Sequence, residues 1–240
     1  MKQSMRIFAA CMTALVVCGT GKSDPTELEG ARDVLKGIDA MKRLPADGFH
    51  VVESQGRLLL VSTNGHYVVT GGRLIDLWNE VEVQRVSDLE KTLRLPLTRM
   101  GIRAKELGGF TTGQANAKEA VTVFLDPASA ESHKLLPQLR SLMPKYRVDV
   151  IFVPAQATRA ETSRALICDP NAARAFIEAA GVPDATGTGS ACGVKELERA
   201  RVTVHLLGIE TLPMSVAPNG VTVAGSPKNY AELIAQNSGS

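Results

Sequence analysis

The spacing of apolar positions changes near residue 48, from a helical period to a strand-like one. Between Pro25 and Pro45 the apolar residues recur every three or four positions, which predicts an amphipathic helix that ends near Pro45. Its apolar positions are Leu28, Ala31, Val34, Leu35, Ile38 and Met41. The following stretch, 49–72, contains β-rich runs separated by Ser54–Gly56 and by Asn64–Gly65. Because Asn-Gly tolerates the positive φ of a type I′ turn, the pattern predicts a hairpin within a small antiparallel sheet that ends near Asn79.

A connector follows this sheet. The spacing in 86–95 is helical, Pro96 ends or kinks that helix, and 108–120 is polar and rich in glycine, which predicts a loop. We therefore expect an N-terminal domain at 20–80, a linker helix and loop at 81–118, and a C-terminal domain at 119–240.

The C-terminal part alternates strands and helices and ends on a hairpin. The predicted elements are a strand at 121–125, a helix from Ser129, a strand at 148–153, helices at 161–167, 171–180 and 194–207, a hairpin turning at Asn219–Gly220, and a helix at 229–236. A β-α-β start, a helical middle and a β-β-α end predict an α+β chain whose C-terminal domain is thioredoxin-like with a helical insertion. A flavodoxin-like sheet would instead alternate to the end of the chain.

The N-terminus is predicted to be an export signal at 1–19. Lys2 and Arg6 precede an uncharged run of 11 residues, Ile7–Val17, and small residues follow from Gly19. A helix that spans a membrane needs about 20 apolar residues, so this run is too short to be one. Cys18 directly after the apolar run leaves a second outcome open, in which the exported protein is a lipoprotein anchored at that cysteine.

The charge balance excludes a typical nucleic-acid binder. Cleavage after Gly19 removes Lys2 and Arg6 and leaves 25 basic against 25 acidic residues, whereas phosphate neutralisation requires an excess of clustered cations. One segment is locally basic but has no interleaved aromatic residues, and we interpret it as a solvated face. Its cations are Arg94, Arg99, Arg103 and Lys105.

Two cysteines remain beyond the signal region, Cys168 and Cys192. Export places them in an oxidising compartment, where an even pair is expected to form a disulfide; two free thiols are the alternative. We expect neither a metal site nor a cofactor, because the histidines are scattered along the chain, at positions 50, 66, 133 and 205.

Three stretches resemble the bacterial periplasmic disulfide isomerases of the DsbC and DsbG family. They are GRLLLVSTNGHYVVTGGRLIDLWN (56–79), VTVFLDPASAESHKLLPQL (121–139) and GIETLPMSVAPNGVTVAG (208–225). The resemblance implies a periplasmic homodimer with a cystatin-like N-terminal dimerisation domain of one helix and an antiparallel sheet. It also implies that Cys168 and Cys192 form a structural disulfide. Pro213 would be a cis-proline in the client-binding loop, with Leu212 where the family commonly has threonine.

The family's C-x-x-C motif falls on Ser129-Ala130-Glu131-Ser132, so both redox cysteines are replaced by serine. A hydroxyl cannot replace the thiolate that disulfide exchange requires, so the family's activity is not expected here. At the start of a helix, the Ser129 side chain is expected to cap a free backbone N–H, with Glu131 favourable near the positive end of the helix dipole.

The leading functional hypothesis is a non-redox periplasmic chaperone that binds unfolded or partly folded exported proteins. A second hypothesis is an assembly factor for an envelope machine such as a conjugative secretion system. An enzymatic role is a third, either residual disulfide exchange through Cys168 and Cys192 or hydrolysis by Ser129 with His133.

Overall fold

The computed structural model describes residues 37–44, 48–156, 159–179 and 191–238. Its N-terminal half contains a four-stranded antiparallel sheet in which the strands follow chain order. The strands are β1 (Ile38–Arg43), β2 (Phe49–Ser54), β3 (Arg57–Ser62) and β4 (Val68–Val69). A separate antiparallel ribbon consists of β5 (Leu74–Asp76) and β6 (Val81–Val83). The predicted small antiparallel sheet is thus present.

The turns of this sheet differ from the predicted ones. Strands β2 and β3 are joined by Gln55 and Gly56, whose φ values of 50° and 72° are both positive, as in a type I′ turn. Asn64 and Gly65 lie in a longer loop between β3 and β4, where only Gly65 has a positive φ. The Asn64 side chain shapes that loop, because its Oδ1 accepts a hydrogen bond from the His66 backbone N–H at 3.0 Å. The tight hairpin turn is therefore at Gln55–Gly56.

The prediction of a helix that continues to Pro45 is wrong for the last part of that segment. Ile38 and Met41 lie in β1, which pairs antiparallel with β2. A short helix gains little from local spacing alone, whereas the neighbouring strand supplies a full ladder of hydrogen bonds. The predicted helical positions before Gly37 lie outside the described residues.

The connector between the two sheets packs against both of them. It contains a 3₁₀ turn (Val86–Asp88), the single-turn helix α1 (Leu89–Thr92) and a second 3₁₀ turn (Ala104–Leu107). Val86 and Leu89 are buried together with Val51 of β2, and Leu95 and Leu97 belong to a buried cluster of the C-terminal sheet. The helix predicted over 86–95 is thus present as a 3₁₀ turn followed directly by α1, and it ends at Thr92.

The second sheet has five strands in the order β11-β10-β8-β9-β7. They are β7 (Phe110–Gly113), β8 (Ala120–Leu125), β9 (Arg147–Phe152), β10 (Met214–Val216) and β11 (Thr222–Ala224). Strands β8 and β9 are parallel, and the other neighbours are antiparallel. This order and these directions make the C-terminal part a mixed α/β, thioredoxin-like fold, and the antiparallel β10–β11 pair is the predicted terminal hairpin.

The helices match their predicted positions closely. Helix α2 (Ala130–Leu142) connects β8 to β9; α3 (Ala160–Cys168), α4 (Pro170–Ala179) and α5 (Val194–Leu206) lie between β9 and β10; and α6 (Tyr230–Gln236) follows β11. Their apolar spacing and the turn residues between them are local signals, which explains the agreement. None of the helices in the described ranges is long and apolar enough to cross a membrane.

The sequence prediction of a loop over 108–120 is wrong at strand β7. The strand pairs with β9 at the edge of the sheet. Its last residue, Gly113, has a φ of 81°, and a Cβ there would overlap the Tyr146 carbonyl oxygen. A short, polar edge strand with one paired side looks like a loop in sequence, because little of it is buried.

Side chains of β8 alternate between two apolar cores. Val121, Val123 and Leu125 are completely buried in a cluster that includes the apolar face of α2. Phe124 points to the opposite face of the sheet and is buried with Ile151 in a second cluster. Both faces of the sheet therefore carry an apolar core, as alternation along a strand requires.

Candidate functional site

The segment 129–132 lies at one end of the central strands of the C-terminal sheet, where β8 ends and β10 begins. Met214 of β10 lies opposite Phe124 of β8, so Pro213 is level with the end of β8 at Leu125. Strand β9 is parallel to β8 and ends at the same edge. The structure thus brings together the turn after β8, the start of α2 and Pro213, and we call residues 126–133 with Pro213 the serine edge.

Asp126 fixes the turn of the serine edge. Its side chain is completely buried. Oδ1 accepts a hydrogen bond from the Ala128 backbone N–H at 2.9 Å, and Oδ2 accepts one from the Ala155 N–H at 3.1 Å. Arg159 Nη1 lies 4.0 Å from Oδ2 and gives the buried carboxylate a positive neighbour. Asp126 thereby joins the turn after β8 to the loop after β9. The only sequence signal for this role is the position of an Asp directly after a buried strand.

Ser129 occupies the N-cap position of α2, but its side chain does not cap the helix. Its backbone is extended, with φ −89° and ψ 132°, and within the described residues its hydroxyl makes no capping hydrogen bond. The expectation of a side-chain cap is therefore wrong. The turn is held through the main chain instead, since the Ser129 N–H donates to the Asp126 carbonyl at 3.0 Å. The Ser129 side chain is half-buried.

Glu131 links the start of α2 to the end of the sheet. Its carboxylate is paired with Lys134 and accepts a hydrogen bond from Ser226 Oγ at 3.2 Å. The hydrogen bond and ion pair with Lys134 lower the pKa of Glu131 below its ordinary value, and Ser226 contributes in the same direction. Ser226 is a contact that the sequence pattern does not predict, because it lies 95 positions away.

Ser132 has a different environment from Ser129. It is completely buried, and its Oγ has no hydrogen-bond partner among the described residues. An unpaired buried hydroxyl is unfavourable, because it loses its hydrogen bonds to water. A thiol at the same position would not carry this penalty to the same degree, because free cysteine behaves as a small hydrophobic residue with a weak donor.

His133 does not form a catalytic pair with Ser129 in this structure. Its Nε2 lies 2.9 Å from the Pro127 carbonyl oxygen, which can only accept, so Nε2 carries the proton. The ring also packs edge to face against Phe176 of α4 at 5.4 Å between centroids. The His133 backbone N–H donates to the Ser129 carbonyl at 3.1 Å, but within the described residues no hydrogen bond joins the two side chains. These contacts give His133 a packing role between α2 and α4.

The Leu212–Pro213 peptide bond is cis. Pro213 is buried, and its carbonyl accepts a hydrogen bond from the Gly225 N–H at 2.8 Å. Leu212 is half-buried and packs against the second apolar cluster of the sheet. The loop before β10 therefore presents an apolar side chain, and not a hydroxyl, beside the serine edge.

Cys168 and Cys192 form a disulfide with an S–S distance of 2.13 Å. The bond joins the C-terminal end of α3 to the residue before Gly193, the N-cap of α5. Arg159, at the start of α3, contacts the serine edge. Cys168 lies at the other end of that helix, about 12 Å from its start at a rise of about 1.5 Å per residue. The structure does not bring the disulfide to the serines. Cys18 lies outside the described residues.

The serine edge carries hydroxyls, and not thiols, at positions 129 and 132. Exchange begins with attack of a thiolate on sulfur, and a serine hydroxyl neither ionises readily nor forms a stable bond to sulfur. The edge therefore offers a cis-proline loop, a half-buried hydroxyl and main-chain groups for contact with another molecule. In the described part of the chain, no group of three His, Cys, Asp or Glu side chains is arranged to hold a metal ion.

The similarity of this chain to known proteins is confined to solved structures. No protein-family model matches it, and no curated protein sequence matches it either. A disulfide interchange protein from Neisseria gonorrhoeae is similar at 19% identity and a TM-score of 0.48, over 57% of this chain and 98% of its own. ScsC of Proteus mirabilis in a compact conformation is similar at 16% identity and a TM-score of 0.46, over 66% of this chain and 82% of its own. DsbG of Helicobacter pylori is similar over 75% of this chain and 92% of its own, at 15% identity and a TM-score of 0.34.

Proposed function

We propose that this chain is an exported, non-redox protein that binds unfolded or partly folded clients in the periplasm. It uses a thioredoxin-like scaffold of the disulfide isomerase type whose exchange chemistry has been lost. In this proposal the protein is a homodimer that assembles through its cystatin-like N-terminal domain, residues of about 26–80.

The observation that carries the proposal is the buried hydroxyl of Ser132, which has no hydrogen-bond partner in the described part of the chain. It lies three residues after Ser129, at the start of a helix beside a cis-proline. This environment suits a small apolar group such as a thiol better than a hydroxyl. The position therefore supports descent from a C-x-x-C site, and serine at both positions leaves no thiolate for exchange.

The described residues favour neither enzymatic alternative. Hydrolysis would need a His133 ring nitrogen to accept the Ser129 proton; Nε2 donates its own proton to Pro127, and within the described residues no hydrogen bond joins Nδ1, the remaining acceptor, to the Ser129 hydroxyl. Disulfide exchange would have to use Cys168 and Cys192, which lie away from the cis-proline loop that contacts clients in the family this chain resembles. The disulfide is better placed to hold the helical insertion together.

Dimerisation is supported by the edges of the N-terminal sheet. Strands β1 and β4 form its two edges, and apolar side chains on both are exposed: Ile38 by 49%, Met41 by 60% and Val69 by 49%. An exposed edge strand offers unpaired N–H and C=O groups to which a strand of another chain can pair. A second copy of the domain would cover them.

Client binding is supported by an exposed apolar groove of about 1020 Å³ between the β5–β6 ribbon and the end of α5. Leu77 is 82% exposed, Trp78 41% and Leu206 68%, and all three line the groove. Patches of this kind mark contact sites for other polypeptides. An apolar segment of an unfolded chain is the occupant that this lining would accept.

An aggregation assay tests the proposal. We expect the protein to suppress aggregation of a denatured, cysteine-free client at roughly equimolar ratio, and to show no insulin reduction. The variant Leu77→Glu with Leu206→Glu should lose most of the suppression. Val194→Glu with Val202→Glu should keep it, because these α5 side chains are also exposed (47% and 48%) but do not line the groove.

Two outcomes would contradict the proposal. The first is a folded natural protein that does not suppress aggregation, or whose two double variants lose suppression equally. The second is insulin reduction that persists after Cys168 and Cys192 have been replaced by alanine, since it would show redox chemistry at the serine edge.

A further inference from the structure

A second concave surface lies on the other end of the C-terminal sheet. It is a cleft of about 1080 Å³ between the connector and the sheet. Its floor includes Ala120 and Arg147, the first residues of β8 and β9, whereas the serine edge follows Leu125. Ala120 lies about 17 Å along β8 from Leu125, and Thr122 of the cleft lies on the sheet face opposite to Val121 and Val123, which pack with α2. This surface, which we call the basic cleft, is therefore a separate site.

The floor of the basic cleft is a polar row across the sheet. Thr111 and Thr122 both lie directly opposite Asp149 on neighbouring strands, so the three side chains share one face. Thr111 Oγ1 donates to Asp149 Oδ1 at 2.6 Å, and Arg147 Nε donates to Oδ2 at 3.3 Å. The single carboxylate of the cleft is therefore already paired within the floor.

The walls of the cleft are strongly basic. Among the described residues, Asp149 is the only acidic one that lines it, against six cations: Lys91, Arg94, Arg99, Arg103, Lys105 and Arg147. Lys91 and Arg103 have carboxylate neighbours at 3.8 and 3.7 Å, but those pairs are exposed and thus weak. Within the described part of the chain, Arg94, Arg99 and Lys105 have no carboxylate partner.

Long-range hydrogen bonds hold this wall in place. The Arg94 carbonyl accepts from Asn79 Nδ2 at 3.2 Å, and the Leu95 N–H donates to the Gly220 carbonyl at 2.7 Å. Gly220 has a φ of 88°, and a Cβ there would lie 3.1 Å from the Leu95 carbonyl oxygen. Glycine thus allows the β10–β11 hairpin to approach the connector closely. The cations around Arg94 project from an anchored backbone, which reduces the ordering needed when a ligand binds.

We propose that the basic cleft binds an acidic segment of a partner polypeptide. Arginine forms paired hydrogen bonds with carboxylates, and the excess of cations attracts a negatively charged chain. Apolar wall residues such as Pro96, Ile102 and Pro218 can pack against the aliphatic parts of such a segment. Among its lining residues the cleft has no aromatic side chain on which bases could stack, and its concave shape does not fit a flat membrane.

Fluorescence anisotropy at low salt tests this inference with a labelled peptide of alternating Glu and Ala. A peptide of alternating Lys and Ala, an oligonucleotide and inorganic pyrophosphate serve as competing probes. We expect binding of the Glu peptide that weakens as salt rises. Arg94→Glu with Arg99→Glu should weaken it by about tenfold or more, and Arg94→Gln with Arg99→Gln should do so by less.

The matched control is Arg199→Glu with Arg201→Glu, on the exposed surface of α5, which changes the net charge by the same amount. We expect this control to bind like the natural protein. Equal loss in both Glu variants would overturn the inference, because only total charge would then matter. Absence of peptide binding, or stronger binding of the oligonucleotide or pyrophosphate, would also overturn it. The inference does not rest on the proposed client-binding function, whose assay uses the apolar groove.

Discussion

Replacing Ser132 with alanine is expected to stabilise the protein. The Ser132 side chain is completely buried and its hydroxyl has no partner among the described residues. Most polar-to-alanine changes in a folded protein remove a hydrogen bond, whereas this change removes only the cost of an unpaired donor and acceptor. The prediction is therefore opposite in sign to the usual effect of substitution in a buried site.

The size of the effect follows from three contributions. Leaving a hydroxyl buried and unpaired costs about 1–3 kcal/mol. Alanine also has the better helix propensity by about 0.5 kcal/mol, and Ser132 lies in the first turn of α2. Losing the van der Waals contacts of one oxygen atom offsets about 0.5–1 kcal/mol. The net increase in the free energy of unfolding is about 0.5–3 kcal/mol, which corresponds to a rise in Tm of about 1–12 °C.

Thermal and urea unfolding followed by far-UV circular dichroism would measure this change. Ser141→Ala is the control in the same helix, because Ser141 is exposed and its Oγ donates to the Gln138 carbonyl at 2.6 Å. Ser163→Ala in α3 is an independent repeat, since Ser163 is also completely buried and its hydroxyl has no partner within the described ranges. If Ser132→Ala is no more stable than Ser141→Ala, the Ser132 hydroxyl has a partner such as a buried water, and the argument for a thiol-shaped site fails.

Two further predictions concern the serine edge and the assembly. Ser129→Cys with Ser132→Cys should give weak insulin reduction that the natural protein lacks. The reaction is expected because the helix start favours a thiolate at position 129, and it is expected to be weak because the negative charge of Glu131 opposes ionisation. A folded double variant without any activity would show that the site has changed beyond its thiols. Multi-angle light scattering should give a dimer mass at micromolar concentration, because the exposed edges of the sheet within residues 26–80 need a partner, and a monomer mass would refute this.

Much of the C-terminal domain was predictable because its signals are local. The strand at 121–125, the Asp126–Pro127 turn and the helix that begins after Ser129 each depend on residues close in the chain, and the structure has all three. Apolar periodicity is strong there because both faces of the sheet and one face of each helix are buried. Local pattern also placed the terminal hairpin, since two β-rich runs flank its turn.

Other features depend on partners that are distant in sequence. Ile38 and Met41 have helical spacing but lie in a strand, because β2 supplies the hydrogen bonds. Phe110–Gly113 reads as a loop and becomes an edge strand only beside β9. Local sequence reports propensity and period, and it does not contain the identity of a pairing strand.

The site shows the same division between local and tertiary information. Residue type alone establishes that positions 129 and 132 carry hydroxyls, which cannot supply the thiolate of disulfide exchange. Only the packed structure shows that the Ser129 side chain does not cap its helix, that the buried Ser132 hydroxyl has no partner among the residues described, and that the His133 ring bonds to the Pro127 carbonyl. The structure also shows that the cations of the locally basic segment, which we interpreted from the sequence as a solvated face, line a cleft. Burial and hydrogen-bond partners are set by elements that pack together from distant parts of the chain, so they become visible only after folding.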